Sequence, residues 1–314
     1  MRLFSMTSIQ YMMLKPGDTV AVAATARKVT TKTIKPAVKL LESWGLRVRI
    51  PEGLYASENQ FAGSDSHRAA VMQALLDDPM VKAVFCARGG YGTVRILDKL
   101  DFTGFVKCPK WIIGYSDVTA LHSHVSRLCG VPTMHATMPI NIPADSVEVD
   151  YPSLSSLRHL LFGMGFSYDF KNEDVRVENR PGKCRAPIVG GNLSVIYSLL
   201  GSSSEVDTFG KILLIEDLDE MLYHIDRMMM ALKRAGKLEG LKGLIVGAMT
   251  KMRDNRIRFG RTAEEIVRDA VADYDYPVAF HCQFGHIGTK NLALPLGVPC
   301  ELKVADTHAI VRLV

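Results

Sequence analysis

Three stretches, far apart in the 314-residue chain, each carry an apolar run onto a side chain that acyl-transfer chemistry uses. Trp111-Ile112-Ile113-Gly114-Tyr115-Ser116-Asp117 offers a hydroxyl, Ile212-Leu213-Leu214-Ile215-Glu216-Asp217 a carboxylate, and Phe284-Gly285-His286-Ile287-Gly288 an imidazole. A serine hydroxyl is a weak nucleophile near neutral pH, and it becomes competent when an imidazole takes its proton and an acid orients that imidazole. Ser116, Glu216 and His286 are therefore the candidate parts of a hydrolytic triad, in the order Ser, Glu, His.

Each part also has a plainer reading. A strand that runs into Gly114-Tyr115-Ser116-Asp117, with a helix directly after it, projects a side chain from the strand's carboxyl end, where open α/β sheets bind ligands. The helix N-terminus would favour a developing oxyanion at the same spot. Ser116 or Asp117 could equally be an ordinary helix N-cap. Val118 stands where G-x-S-x-G needs its second glycine, so this is not the α/β-hydrolase elbow. Arg88-Gly89-Gly90-Tyr91-Gly92 follows a second apolar run, and adjacent glycines let a backbone approach a bound group. Its amides could serve an oxyanion or a phosphate, or the segment could be a tight turn only; it is neither G-x-G-x-x-G nor a P-loop. Glu216 heads an acidic stretch with Asp217, Asp219 and Glu220 that reads as solvated loop charge, yet four branched apolar residues before it predict partial burial. His286 is one of nine histidines, and Gly-His alone carries little weight. His135, after Pro132-Thr133-Met134, sits at an expected strand end. His122 and His124 are two apart on an expected helix and cannot share a face. No His-Glu-x-x-His or zinc-spaced Cys/His set occurs, so no metal site is expected.

The elements that must position these groups alternate. Strands are predicted at Thr19–Ala24, Leu46–Ile50, Val81–Ala87 and Trp111–Gly114, with helices over Val29–Trp44, Asp65–Asp77, from the glycine-rich segment to about Leu100, and Val118–Leu128. That pattern gives an N-terminal α/β domain with a parallel sheet over residues 14–140. Residues 141–185 are proline-rich and polar, with a helical patch at Leu154–Leu161, and read as an inter-domain linker. Residues 186–314 open on Ala186-Pro187-Ile188-Val189-Gly190-Gly191-Asn192-Leu193 and form a smaller, β-rich α+β domain. Its expected helices are Leu193–Leu200, Tyr223–Ala235 and Ala263–Val271, its strands Ile212–Ile215, Leu244–Met249 and Val278–Gln283, and a hairpin closes Cys300–Val314.

Composition narrows the class. Hydrophobic residues at 47% and charged residues at 23% describe an ordinary globular chain long enough for two domains. The net charge of +5 comes from scattered Lys and Arg, so nucleic-acid binding is not indicated, while a small acidic substrate would suit it. The six cysteines, Cys86, Cys108, Cys129, Cys184, Cys282 and Cys300, form no C-x-x-C pair and read as reduced thiols of a cytoplasmic protein. Met1–Leu14 lacks the pattern of an export signal; Met6, Met12 and Met13 are alternative starts, and the first dozen residues read as a disordered lead. No stretch is long and apolar enough to span a membrane.

Taken in order, Gly63-Ser64-Asp65 with Arg68, Ala87-Arg88-Gly89-Gly90-Tyr91-Gly92, Gly114-Tyr115-Ser116-Asp117, Gly190-Gly191-Asn192-Leu193, Ile215-Glu216-Asp217, Tyr223 with Asp226-Arg227, and Gly285-His286 form a specific combination. From about Leu14 to the end the chain resembles the LD-carboxypeptidases, the serine peptidase family that includes muramoyltetrapeptide carboxypeptidase and the microcin C self-immunity peptidases. The resemblance implies Ser116 as nucleophile, His286 as general base and then acid, and Glu216 as its orienting partner. It implies an oxyanion hole from the amide of Asp117 with that of Gly89 or Gly90, and a cofactor-free homodimer. It also implies a murein tetrapeptide substrate, cut between the L-centre of its diamino acid and the terminal D-alanine during cell-wall recycling. Arg88 is the candidate for the substrate's free carboxylate, because guanidinium binds carboxylate in a fork, and Tyr91 is a candidate substrate contact beside it. Two segments depart from the family pattern: Ala23-Ala24-Thr25-Ala26-Arg27, where a Pro-Ser-type turn is usual, and Ala136-Thr137-Met138 after His135, where Gly-Pro is usual. Both are expected near the substrate groove. The rivals are a microcin C-type peptidyl-nucleotide peptidase and a non-catalytic module holding a phosphorylated ligand on Gly89-Gly90 and Gly190-Gly191. A cysteine hydrolase is disfavoured because Cys86 lies inside a strand.

Overall fold

A computed structural model describes residues 12–172 and 177–314. The lead expected over the first dozen residues lies outside them except for Met12, which with Leu14 is buried in the first core.

The first sheet has the order β11-β5-β4-β3-β1-β2. Its members are β1 (Thr19–Ala23), β2 (Arg47–Arg49), β3 (Val81–Cys86), β4 (Trp111–Gly114), β5 (Thr133–His135) and β11 (Leu294–Leu296). All neighbours are parallel except β11, which joins β5 antiparallel. β1, β3 and β4 are near-continuous apolar runs because a parallel sheet is buried on both faces; Val22, Phe85, Ile112 and Ile113 have no exposed surface. The chain winds outward from β1 in one direction to β2 and in the other to β3, β4 and β5, so the sheet has its switch point between β1 and β3. Helix Thr31–Ser43 begins at a capping box on Thr30, and helix Asp65–Asp77 at a Ser64 cap. The helix expected up to Leu100 forms as a 3-10 helix, Thr93–Lys99.

The second sheet has the order β10-β9-β8-β7-β12-β13-β6. β7 (Gly182–Asn192) serves both halves: Ile188–Asn192 pairs parallel with β8 (Ile212–Leu218), while Gly182–Pro187 pairs antiparallel with β12 (Pro299–Val304). β9 (Gly243–Thr250) and β10 (Val278–Ala279) extend the parallel half. β13 (His308–Leu313) closes the expected terminal hairpin with β12, and β6 (Ser167–Lys171) forms the outer edge. β6 and the start of β7 thus fall within 141–185. β6 was not expected within the proline-rich stretch, although Phe166, Tyr168 and Phe170 alternate with polar residues at strand period; Phe170 is buried and Tyr168 half-buried. β10 is shorter than expected: after Ala279 the chain leaves the ladder, and His281 takes a φ of +56°. From there it passes His286 and then adds β11 to the first sheet, so one segment ties the two sheets together.

Candidate active site

β4 delivers Ser116. Gly114 ends the strand against Val118 and Cys86, with no room for a Cβ (2.8 Å to Val118 Cγ2), and Ser116 follows in the left-handed region at φ +63°. A non-glycine residue there costs on the order of 1–3 kcal/mol, which persists only where surrounding contacts enforce it. Neither Ser116 nor Asp117 caps helix Thr119–Leu128, which has no side-chain cap, so the N-cap reading fails. Asp117 instead turns its carboxylate to the neighbouring loop, where Oδ2 accepts the Thr93 amide at 2.9 Å. That bond draws the glycine-rich segment onto the serine turn. A Cβ on Gly89 would lie 3.2 Å from Ser116 Oγ and 3.4 Å from the Asp117 amide nitrogen, so the backbone of residue 89 faces the hydroxyl at close range.

β8 delivers Glu216. The strand slips register against β9 between Ile215 and Asp217, an irregularity of the kind that re-aims a side chain. Gly247 lies opposite, and a Cβ there would stand 2.6 Å from the Phe284 carbonyl and 3.2 Å from Glu216 Cβ. Its bareness lets the histidine loop approach. Glu216 is fully buried, and its Oε2 meets His286 Nδ1 at 2.6 Å. The expectation of partial burial was too weak, since β8 continues past Ile215 to Leu218.

Three bonds pin the histidine loop: Ala248 N–H donates to the Phe284 carbonyl at 2.9 Å, Gly285 N–H to Asn291 Oδ1 at 2.7 Å, and the Thr250 hydroxyl to the His286 carbonyl at 3.2 Å. The ring of His286 packs on Tyr115, centroids 4.9 Å apart, which sets it beside the residue preceding Ser116. Burial disfavours the His286 imidazolium, but the hydrogen bond and charge of Glu216, with Asp217 behind, outweigh it and raise the pKa above 6.5. Ser116 Oγ itself has no hydrogen bond among the described residues.

Asp217 is buried, and burial together with the Glu216 charge pushes its carboxyl up to about 6. It accepts from Asn192 Nδ2 at 2.9 Å and from the Ser194 amide at 2.8 Å, so the acidic stretch is an internal network at its start. Asn192 N–H in turn donates to Thr119 Oγ1 at 3.0 Å, joining β7 to the helix that follows the Ser116 turn. Gly190 and Gly191 are occupied by this packing: Cβ atoms there would lie 2.1 Å from the Leu214 carbonyl oxygen and 2.6 Å from Thr119 Oγ1. They are closed to the phosphate that a binding module would place on them.

Arg88 is half-buried, and its Nη1 donates to the Lys28 carbonyl at 3.3 Å. Tyr91 is exposed, its ring 6.2 Å from Phe61. His122 is buried with Nε2 2.9 Å from the Gly114 carbonyl, and burial pushes its pKa down to about 4. His135 is buried 5.8 Å from the Tyr115 ring, and burial holds it well below its usual range. Among the described residues no group of His, Cys, Asp or Glu has the arrangement of a metal site. Nothing in the sequence marked a role for Tyr115, Asn291 or Gly247, because each acts through a neighbour distant in the chain.

The pattern of matches decides the family. Residues 20–136 match the LD-carboxypeptidase N-terminal domain and residues 185–302 the LD-carboxypeptidase C-terminal domain. The chain belongs to the LD-carboxypeptidase family. A Bacillus subtilis relative named "Probable murein peptide carboxypeptidase" is 35% identical over 95% of this chain and 93% of its own. Among solved structures, muramoyltetrapeptide carboxypeptidase from Oxalobacter formigenes superposes with a TM-score of 0.83 at 24% identity, covering 94% of this chain and 98% of that one. The microcin C7 self immunity protein superposes with a TM-score of 0.81 at 21% identity, covering 96% and 97%. Likeness at those identities is one of fold. Family membership makes this LD-carboxypeptidase a serine-type carboxypeptidase, as the residues at 116, 216 and 286 suggested.

Proposed function

We propose that the protein removes the terminal D-alanine of murein tetrapeptides, with Ser116 as nucleophile. His286 takes the Ser116 proton as the hydroxyl attacks the carbonyl of the diamino acid's L-centre. The amide of Asp117, with that of Gly89 or Gly90, holds the oxyanion. His286 then protonates the leaving amine of D-alanine, and water, deprotonated by His286, hydrolyses the acyl-enzyme. Glu216 orients the ring and stabilises the imidazolium. Arg88 receives the substrate's free carboxylate, and Tyr91 flanks the peptide. The observation that carries this reading is the 2.6 Å contact between the buried Glu216 and His286, on a ring packed against the residue before Ser116. A serine Oγ without a hydrogen-bond partner in the absence of substrate is compatible with such sites, whose catalytic bonds tighten in the complex.

The murein substrate is supported by the name of the Bacillus subtilis relative. A cytoplasmic setting is supported by six cysteines without a disulfide, and no helix among the described residues is long and apolar enough to cross a membrane. A homodimer follows from the family resemblance. The test is mass spectrometry of a defined L,D-tetrapeptide after incubation. Loss of one D-alanine, absent with the all-L analogue and with Ser116→Ala, is expected. An intact tetrapeptide, or full turnover by Ser116→Ala, overturns the proposal.

A further inference from the structure

The switch point of an open parallel sheet is where its ligand crevice opens, and here it lies between the carboxyl ends of β1 and β3. Two arginines stand on those two ends: Arg27, four residues after β1, and Arg88, two residues after β3. They are close enough that the charge of Arg27 lowers the pKa of Arg88, after burial. Arg88 donates to the carbonyl of Lys28, the residue next to Arg27. Neither guanidinium is paired with a carboxylate among the described residues, whereas Arg68 and Arg95 nearby both pair with Asp65. Unneutralised like charges held side by side make an anion site.

The path from Arg27 to the nucleophile is short. Its side chain lies across Gly90, where a Cβ would meet Arg27 Cδ at 2.6 Å and Nε at 2.7 Å, and Gly90 holds a φ of +112°. Gly89, the next residue back, faces Ser116 Oγ. In a peptide being shortened by one residue, only the amide nitrogen and one carbon separate the scissile carbonyl from the terminal carboxylate. A group one residue beyond the oxyanion loop is placed to reach that carboxylate.

We infer that Arg27 is a specificity residue: with Arg88 it forms a two-guanidinium clamp on the terminal α-carboxylate of the leaving residue. This rests on the carboxypeptidase reading and adds to it the reason for exopeptidase selectivity. Two forks can engage both carboxylate oxygens, whereas a terminal amide presents one acceptor and carries no charge. The interaction is made in ground state and transition state alike, so its loss appears in KM.

The experiment compares kcat/KM for a tetrapeptide ending in D-alanine with that for its D-alaninamide analogue, in wild type, Arg27→Gln and Arg27→Lys. Arg27→Gln is expected to raise KM for the acid about tenfold or more, with kcat little changed. The acid-to-amide ratio should fall by the same factor, and Arg27→Lys should recover part of it. Labelling of Ser116 by an uncharged phosphonate, which needs no clamp, should proceed at the wild-type rate in Arg27→Gln and shows that the fold is kept. An unchanged acid-to-amide ratio in Arg27→Gln, beside a wild type that cleaves the acid, overturns the clamp alone. A wild type that cleaves neither peptide overturns the carboxypeptidase reading and the clamp with it.

Discussion

Gly285 stands against Glu216 so closely that a Cβ on it would lie 2.3 Å from Oε2, and its φ is +98°. Gly285→Ala must therefore displace either the carboxylate or the histidine loop. A shift of about 1 Å at a catalytic group costs on the order of 10² in rate. The expected outcome is a loss of at least that size in kcat/KM, with a fall in stability of about 1–3 kcal/mol in urea denaturation from the forced backbone.

Gly89→Ala separates crowding from folding. Gly89 needs no positive φ, so alanine fits its backbone, yet the methyl would lie 3.2 Å from Ser116 Oγ. We expect the midpoint of thermal unfolding to stay near wild type while kcat/KM drops by about 10², the size seen when one oxyanion donor is lost. Wild-type kinetics would remove residue 89 from the reacting centre.

Ser116 trades stability for position. At φ +63° a glycine is relaxed where serine is strained. Ser116→Gly should abolish turnover and raise unfolding free energy by about 1 kcal/mol, the left-handed penalty less glycine's entropy. Calorimetry beside activity reads both.

The acid limb of kcat/KM should reflect His286. Its imidazole must be neutral to accept the serine proton, and Glu216 raises its pKa above 6.5, so activity should fall as pH drops from a point above 6.5. In Glu216→Gln the burial remains without the countercharge, and the limb of the residual activity should move to lower pH. Stability runs the opposite way with pH. A histidine whose folded pKa is raised contributes stability in full below 6.5, and loses it as pH rises through the folded value. A pH series of urea melts for wild type and His286→Gln should diverge most on the acid side.

Thr119→Val tests the seam between the sheets. Valine keeps the shape but removes the acceptor of the Asn192 amide, leaving a buried N–H unpaired. The cost expected is about 1–3 kcal/mol in unfolding free energy. The buried Asp217 network hangs on the same asparagine, so kcat/KM should fall as well; unchanged kinetics would confine Thr119 to stability.

Much of the architecture was legible in local pattern. The runs Val81–Cys86 and Trp111–Gly114 are apolar because parallel strands are covered on both faces, and the helix Asp65–Asp77 begins at its Ser64 cap. The three-residue β11 is too short to carry a period of its own, β6 is marked only by the alternation of Phe166, Tyr168 and Phe170 within a proline-rich stretch, and the Asp117 bond at the start of the 3-10 helix Thr93–Lys99 joins residues 24 apart. In the site, Ser116 and Glu216 could be picked out because each sits where an apolar strand runs into a polar stretch.

The sequence by itself determined which side chains stand at strand ends and which glycines interrupt the backbone beside them, because both are properties of a few consecutive residues. Only the tertiary structure decided that His286 meets Glu216 across 70 residues of chain, that Asp117 serves Thr93 rather than its own helix, and that Arg27 lies across Gly90 while Arg88 bonds the carbonyl of Lys28. Those relations come from the slipped β8–β9 register, the crossing of β11 to the first sheet and the winding of strands outward from β1. Such pairings form between segments with no local signal for one another, so no window of sequence contains them.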